Sequence, residues 1–243
     1  IGTDEALHYL RKNPGRTILP IAPTIEEYES FFAEKLLQAD HVFHITSSAG
    51  TGQAWHNAAE AAHSFGNVTV FDGEQYSGGT GVLALMAAGI VETENPSPAA
   101  LTAALLSGKG RIRTPFVVET TARLLAAGRI DPRIHALCQS FLLRPILVPS
   151  AGGMRMRGFV TGPRNRYIED FIRKLLFAGV LERAELYVLT PGLPPDDAAA
   201  LRAMVEKRAP GRQIRFLRMS AATSLIFGQE TIEIVCIQEG GRQ

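Results

Sequence analysis

Residues His41 to Gly52, HVFHITSSAGTG, constrain this chain more than any other stretch. Val42, Phe43 and Ile45 read as a short buried strand. It runs into small hydroxyl and glycine residues, and QAWHNAAEAAHSF then reads as a helix opening near Gly52. At such a junction the first helical N–H groups lack intrahelical partners, and the helix dipole leaves partial positive charge there. Thr46, Ser47, Ser48 and Thr51 add hydroxyl donors, while Gly50 and Gly52 let a ligand approach the backbone. One reading is a neutral seat for a carboxylate or phosphate. The other is a capped turn with Ser or Thr as N-cap. The residues alone leave both open.

The same unit recurs along the chain. Val68 to Phe71 is an apolar run ending at Asp72, and the glycine-rich YSGGTG reads as a turn feeding an apolar helix. Before the central stretch, residues 4 to 12 suggest a helix and Thr17 to Ile21 a strand. Thr24 caps a helix to about Gln38, with Glu27 at the capping-box position. Ile25, Tyr28, Phe32 and Leu36 recur at helical spacing and read as core. Ser97 and Pro98 open a helix to about Leu106. Strands are expected at 114–119, 145–148, 154–160, 185–189, 214–217 and 232–237. Helices are expected at 120–127, from Pro132, and at 167–177 and 196–208. Gly128 takes the C′ role after the helix of TTARLLAAG. Alternation of this kind predicts an α/β fold with mainly parallel sheets and crossover helices. The 243 residues suffice for two subdomains, divided here into 1–110 and 111–243.

Charge is nearly balanced, with 25 basic and 24 acidic side chains, so no pull toward nucleic acid or anionic membrane is expected. Arg155, Arg157, Arg164 and Arg166 read as a solvated basic face. Cys138 and Cys236 give no disulfide framework, which fits a reducing, cytoplasmic setting. No apolar run is long enough to span a bilayer and no signal peptide opens the chain. The first residue is not Met, and the chain is read as a fragment or processed product.

No metal site is expected. His41 and His44 point to opposite strand faces, and His56 and His63 stand two helical turns apart. Ser47 or Ser48 could serve a hydrolase or acyl transferase, but TSSAG lacks the leading glycine of a nucleophile elbow. No Walker or GxGxxG pattern occurs, so no nucleotide cofactor is expected. Asp72 and Glu119, each ending an apolar run, could be paired acids or strand-end caps.

Taken in order, several segments resemble the DegV family of bacterial fatty-acid-binding proteins. IRTPFVVETTARLLAAGRI resembles the family's strand FVVDT, L-x-x-L and GGRI, and LLRPILVP is similar to L-x-x-KPIL. HITSSAGTGQ resembles ISSGLSGTYQ, and VFDGEQYSGGTG resembles VIDS with S-x-G-x-G. DEALHYLRK followed by PIAPTIEEY is similar to the helix before the TSQPSP motif. The likeness runs to about Phe177. It implies two α/β subdomains holding a long-chain fatty acid between them, with the carboxylate at the 46–52 turn. By that match Thr46, Ser47, Ser48, Thr51, Gly52, Gly79 and Gly81 belong to the ligand site. Arg129 matches the GGRI arginine associated with engaging a fatty-acid kinase. The family itself implies no catalytic residue and no cofactor besides the bound lipid.

The chain also departs from that pattern. Pro20 to Thr24 stands where TSQPS is expected, so a threonine hydroxyl is lost. Ile226 to Glu230 replaces HTGPG and its histidine. The family's opening TDS strand is expected upstream of Ile1. These departures keep lipid binding and count against kinase partnership. Burying an acyl tail is worth about 0.8 kcal/mol per CH₂. One head-group contact contributes about 1–3 kcal/mol. Affinity therefore rests on the tail, whose wall Val82, Leu83, Leu85 and Met86 could supply. The alternatives are the serine-dependent enzyme, or a degenerate interaction domain with a closed pocket.

Overall fold

The computed structural model describes residues 2–13, 16, 18–150, 153–177 and 185–237. In chain order the elements are α1 (Thr3–Lys12), α2 (Ile25–Leu36), β1 (Val42–Thr46), a 3₁₀ turn (Ala49–Thr51), α3 (Ala54–Ala62), β2 (Val68–Asp72), α4 (Ser77–Glu94), α5 (Pro98–Lys109), β3 (Ile112–Arg113) and β4 (Phe116–Val117). They continue with α6 (Ala122–Ala126), α7 (Pro132–Ser140), β5 (Arg144–Ser150), β6 (Gly153–Val160), α8 (Arg164–Phe177), β7 (Leu186–Thr190), α9 (Pro195–Arg208), β8 (Ile214–Arg218), α10 (Ala221–Phe227) and β9 (Ile232–Ile237). The chain divides into two compact units. The first holds Ile21–Gly110 with Pro149–Gly153; the second holds Ile1–Pro20, Arg111–Val148 and Met154–Gln243.

In the first unit β1 and β2 pair in parallel, with Val42 opposite Val68 and Thr46 opposite Asp72. Alternation along each strand sends side chains to two helical layers. Val42 and Val70 pack with Tyr28, Phe32, Ala58 and Ala61 of α2 and α3. Phe43 lies against Phe71, and Leu83 of α4 is buried beside Gly73. The start of α2 follows from its sequence. Thr24 accepts from the Glu27 N–H, and the Glu27 carboxylate accepts from the Thr24 N–H.

His44 lies among the rings of Tyr28, Phe31 and Phe32, with centroids 5.4–6.1 Å away. Burial there holds its imidazole below the ordinary 6.5. Unfolding therefore takes up a proton at mildly acid pH, so stability is complete above about pH 6.5 and declines as pH falls through the depressed value. Urea titrations at pH 7.5 and 5 are expected to show that loss, and His44→Phe is expected to shrink it.

The second unit is built on a mixed sheet in which seven strands are described, ordered β6-β5-β4-β9-β7-β8 with β3 also on β9. β7 and β8 run parallel with α9 crossing between them, whereas β9 is antiparallel to β3, β4 and β7. The expected α/β class is present. Parallel pairing describes β1–β2 and β7–β8, while antiparallel pairs predominate around β9. One sheet face packs Val117, Ile146, Val188, Ile232 and Ile234 against Tyr167, Phe171, Leu201 and Val205 of α8 and α9. Residues 1–20 group with this unit rather than with 21–110, because Ala6 and Leu10 of α1 pack on Leu225 of α10. The Thr3 hydroxyl also donates to the Met219 carbonyl at 3.0 Å.

Three local expectations change. Residues 18–24 form no strand, since Pro20 and Pro23 have no N–H to donate to one; Thr17 lies outside the described residues. SGGTG is not a turn before a helix: Ser77 to Gly81 are the first residues of α4 itself. α10, absent from the sequence reading, is capped by Ser220, whose hydroxyl accepts from the Thr223 N–H.

Candidate functional site

Strands β1 and β2 end side by side, and the loops leaving their carboxyl ends are stitched together. The Gly73 N–H donates to the Thr46 carbonyl at 3.2 Å, and the Ser48 N–H to the Gln75 carbonyl at 2.9 Å. One carboxylate oxygen of Asp72 accepts from the Ala49 N–H at 3.1 Å and the Glu74 N–H at 2.9 Å. Gly73 is required here: a Cβ would lie 2.7 Å from the Thr46 carbonyl oxygen. In open α/β sheets this end of adjacent parallel strands is where ligands are received.

The helix after β1 does not open at Gly52. A 3₁₀ turn spans Ala49–Thr51, Gly52 is extended, and α3 begins at Ala54. The turn's own amides are engaged: the Thr51 N–H and hydroxyl both donate to the Ser48 carbonyl, the hydroxyl at 2.5 Å. Thr46 is buried, its hydroxyl 3.4 Å from the Phe71 carbonyl. Ser47 is half-buried. Ser48 differs from its neighbours. It is 3 % exposed, and its Oγ is buried without a hydrogen-bond partner. The N-cap residues of α3 and α4, Gln53 and Tyr76, make no side-chain capping bond.

Gly79 is buried in the first turn of α4, its N–H donating to the Tyr76 carbonyl at 2.8 Å. Gly81 faces open space. Of the tail-wall candidates, Val82 and Leu83 are buried and Met86 half-buried, but Leu85 is 58 % exposed and lies on the outer side of α4. Thr80, passed over in the sequence among the glycines of SGGTG, also has a buried hydroxyl oxygen without a partner. A hydroxyl residue on a helix that starts at a strand's carboxyl end was the signal available.

Arg129 belongs to the second unit. It follows Gly128 (φ +65°) in a Schellman ending of α6, with N–H bonds from Gly128 to Leu125 and from Arg129 to Leu124. Its Nε is buried without a partner. Asp72 and Glu119 serve separate roles. Asp72 ties backbone in the first unit, whereas Glu119 accepts from the Tyr167 hydroxyl at 2.8 Å and pairs with Arg144 and Arg164. Arg164 also meets Glu230 and Asp197. Burial and the Glu119 charge push the Tyr167 phenol up, which keeps it a donor.

Other sites compete less well. A crevice of about 930 Å³ lies at the carboxyl ends of β7 and β8, with Arg11, Arg202 and Arg218 among its walls. Arg218 is already held by Asp4 and by the Pro191 carbonyl at 3.0 Å, and Arg202 sits 4.0 Å over the Phe216 ring. No cluster of metal-ligating side chains occurs among the described residues. Cys138 and Cys236 are free and buried, and burial pushes the Cys236 thiol up to about 12. No helix among the described residues is long and apolar enough to cross a membrane.

Comparison with known proteins gives the family and the fold. The family model described as an uncharacterised protein of the DegV family matches residues 12–239. No curated protein matches the chain in sequence. A DegV family protein of Thermus thermophilus, whose structure is reported for fatty acid binding, is 25 % identical with a TM-score of 0.82, covering 98 % of this chain and 85 % of its own. A DegV family protein of Eubacterium eligens loaded with heptadecanoic acid is 15 % identical with a TM-score of 0.83, covering 98 % and 86 %. The fatty acid kinase (Fak) B3 protein of Streptococcus pneumoniae, loaded with linoleic acid, is 14 % identical with a TM-score of 0.81, covering 98 % and 84 %. At 14 and 15 % identity the last two establish a shared fold. With the family model spanning nearly the whole chain, the protein belongs to the DegV family.

Proposed function

We propose that this protein binds a long-chain fatty acid whose carboxylate sits at the 46–52 turn of the first unit. The observation that carries the reading is the Ser48 hydroxyl, buried and unpartnered at the carboxyl ends of two parallel strands. A carboxylate is an acceptor, and Ser48 is a donor without one. The Thr51 hydroxyl, spent on the Ser48 carbonyl, fixes the loop that presents Ser48. Fatty acids bound to DegV relatives support the ligand class. The protein acts as a lipid carrier or sensor in the cytoplasm, a reading supported by the fatty acids bound to its DegV relatives. A fatty-acid kinase is the partner class to test, through Arg129, against the loss of the TSQPS threonine and the HTGPG histidine, which speaks for lipid binding without a kinase. The fold shared with the pneumococcal fatty acid kinase (Fak) B3 protein is what brings a kinase into question.

Native mass spectrometry of protein taken from cells is expected to show a long-chain acid. Ser48→Ala is expected to weaken palmitate binding 10- to 100-fold, about 1.4–2.8 kcal/mol, by titration calorimetry on delipidated protein. A wild-type protein that takes up neither palmitate nor oleate would refute the reading.

A further inference from the structure

We propose that Thr80, in the first turn of α4, is the second hydroxyl donor to the head group, a specificity-determining partner of Ser48; this rests on the fatty-acid reading above. A threonine inside a helix ordinarily turns its hydroxyl back to the carbonyl four residues earlier. Thr93 of α4 does so toward Gly89 at 2.8 Å, and Thr102 of α5 toward Pro98 at 2.8 Å. Thr80 does not. The carbonyl it would use, that of Tyr76, receives the Gly79 N–H at 2.8 Å and the Thr80 N–H at 3.4 Å. The Thr80 hydroxyl oxygen is left buried and bare.

Its position follows from its helix. Leu83, three residues on, is buried beside Gly73, so Thr80 shares that inward face one turn closer to the helix start. The start of α4 lies beyond the carboxyl end of β2, where Ser48 is tied to Gln75. The loop of Ser48 and the helix that follows the loop bonded to it thus each carry one buried, unanswered hydroxyl. A carboxylate with two oxygens answers both. An uncharged pair of donors also favours an acid head group over a neutral ester or alcohol, since hydrogen bonds to a charged acceptor are the stronger ones.

Keeping a hydroxyl buried without a partner lowers the stability of the unliganded protein, while a methyl of the same shape does not. Thr80→Val therefore separates a ligand role from a structural one. Delipidated Thr80→Val is expected to melt at or above the wild-type temperature and to bind palmitate about tenfold more weakly, roughly 1.4 kcal/mol. Thr80→Ser is expected to restore most of the affinity. Methyl palmitate, lacking the anionic acceptor, is expected to bind wild type and Thr80→Val alike. A Thr80→Val protein that melts lower without ligand would make the hydroxyl structural and overturn the inference. So would unchanged palmitate affinity beside a weakened Ser48→Ala, which leaves the fatty-acid reading standing. Failure of the wild type to bind palmitate would overturn the reading itself.

Discussion

Replacing Phe32 with alanine is expected to remove about 3–5 kcal/mol of stability, enough to unfold much of the first unit. Phe32 is fully buried, and its ring meets Tyr28, Phe31, His44 and Phe65 at centroid distances of 5.5–6.1 Å. Truncation deletes these contacts at once and leaves a void among side chains from α2, β1 and the end of α3. Such a void closes poorly, because Ala58 and Ala61 beneath it are already fully buried and too small to expand. Urea unfolding followed by far-UV circular dichroism measures the loss. A Phe32→Leu control is expected to recover most of it. Loss below about 1 kcal/mol would show that the helix layer is not held by this ring.

The second large effect concerns Asp72. One of its two carboxylate oxygens, Oδ1, accepts from the Ala49 and Glu74 amides, one from each loop of the candidate site. Asp72→Ala leaves two backbone N–H groups without their acceptor. It is expected to lower stability by about 2–3 kcal/mol, since each bond to a carboxylate is worth about 1.5–3 kcal/mol before water enters in its place. Palmitate affinity should fall as well, because the loop carrying Ser48 keeps only its backbone tie to Gln75 and loses the one through Asp72. Asp72→Asn keeps an acceptor oxygen and is expected to stay within about 1 kcal/mol of wild type. If Asp72→Ala binds palmitate normally, the two loops do not need each other to receive the head group.

Much of this could be read from neighbouring residues in the chain. The Thr24–Glu27 capping box, the Gly128 ending of α6 and the parallel β1–β2 pair each follow from local patterns, and each is present. What escaped depends on distant partners. The antiparallel arrangement around β9 is set by which strands meet, and apolar runs such as those at 114–119 and 232–237 look alike in either direction. β4 is only two residues long within its run, although Pro115 and Val118 on either side still bond to the neighbouring strands. Glycine's poor helix propensity disguised the first turn of α4, where tertiary packing prevails. At the site, the hydroxyls of 46–51 were visible in the sequence. That Thr51 spends its proton internally while Ser48 and Thr80 do not is a matter of where carbonyls fall in space, which no spacing rule conveys.

Pro149–Gly153 groups with the first unit, where a Cβ on Gly153 would stand 3.3 Å from the Gly50 carbonyl. Gly50 and Gly153 are about a hundred residues apart, so their meeting requires closing a long loop, an entropic step that delays such contacts kinetically. The receiving turn should therefore mature late in refolding, after its own strand and helices have formed. A ribosome-bound chain released only to Gly110 would carry every hydroxyl of the site and still lack its final shape.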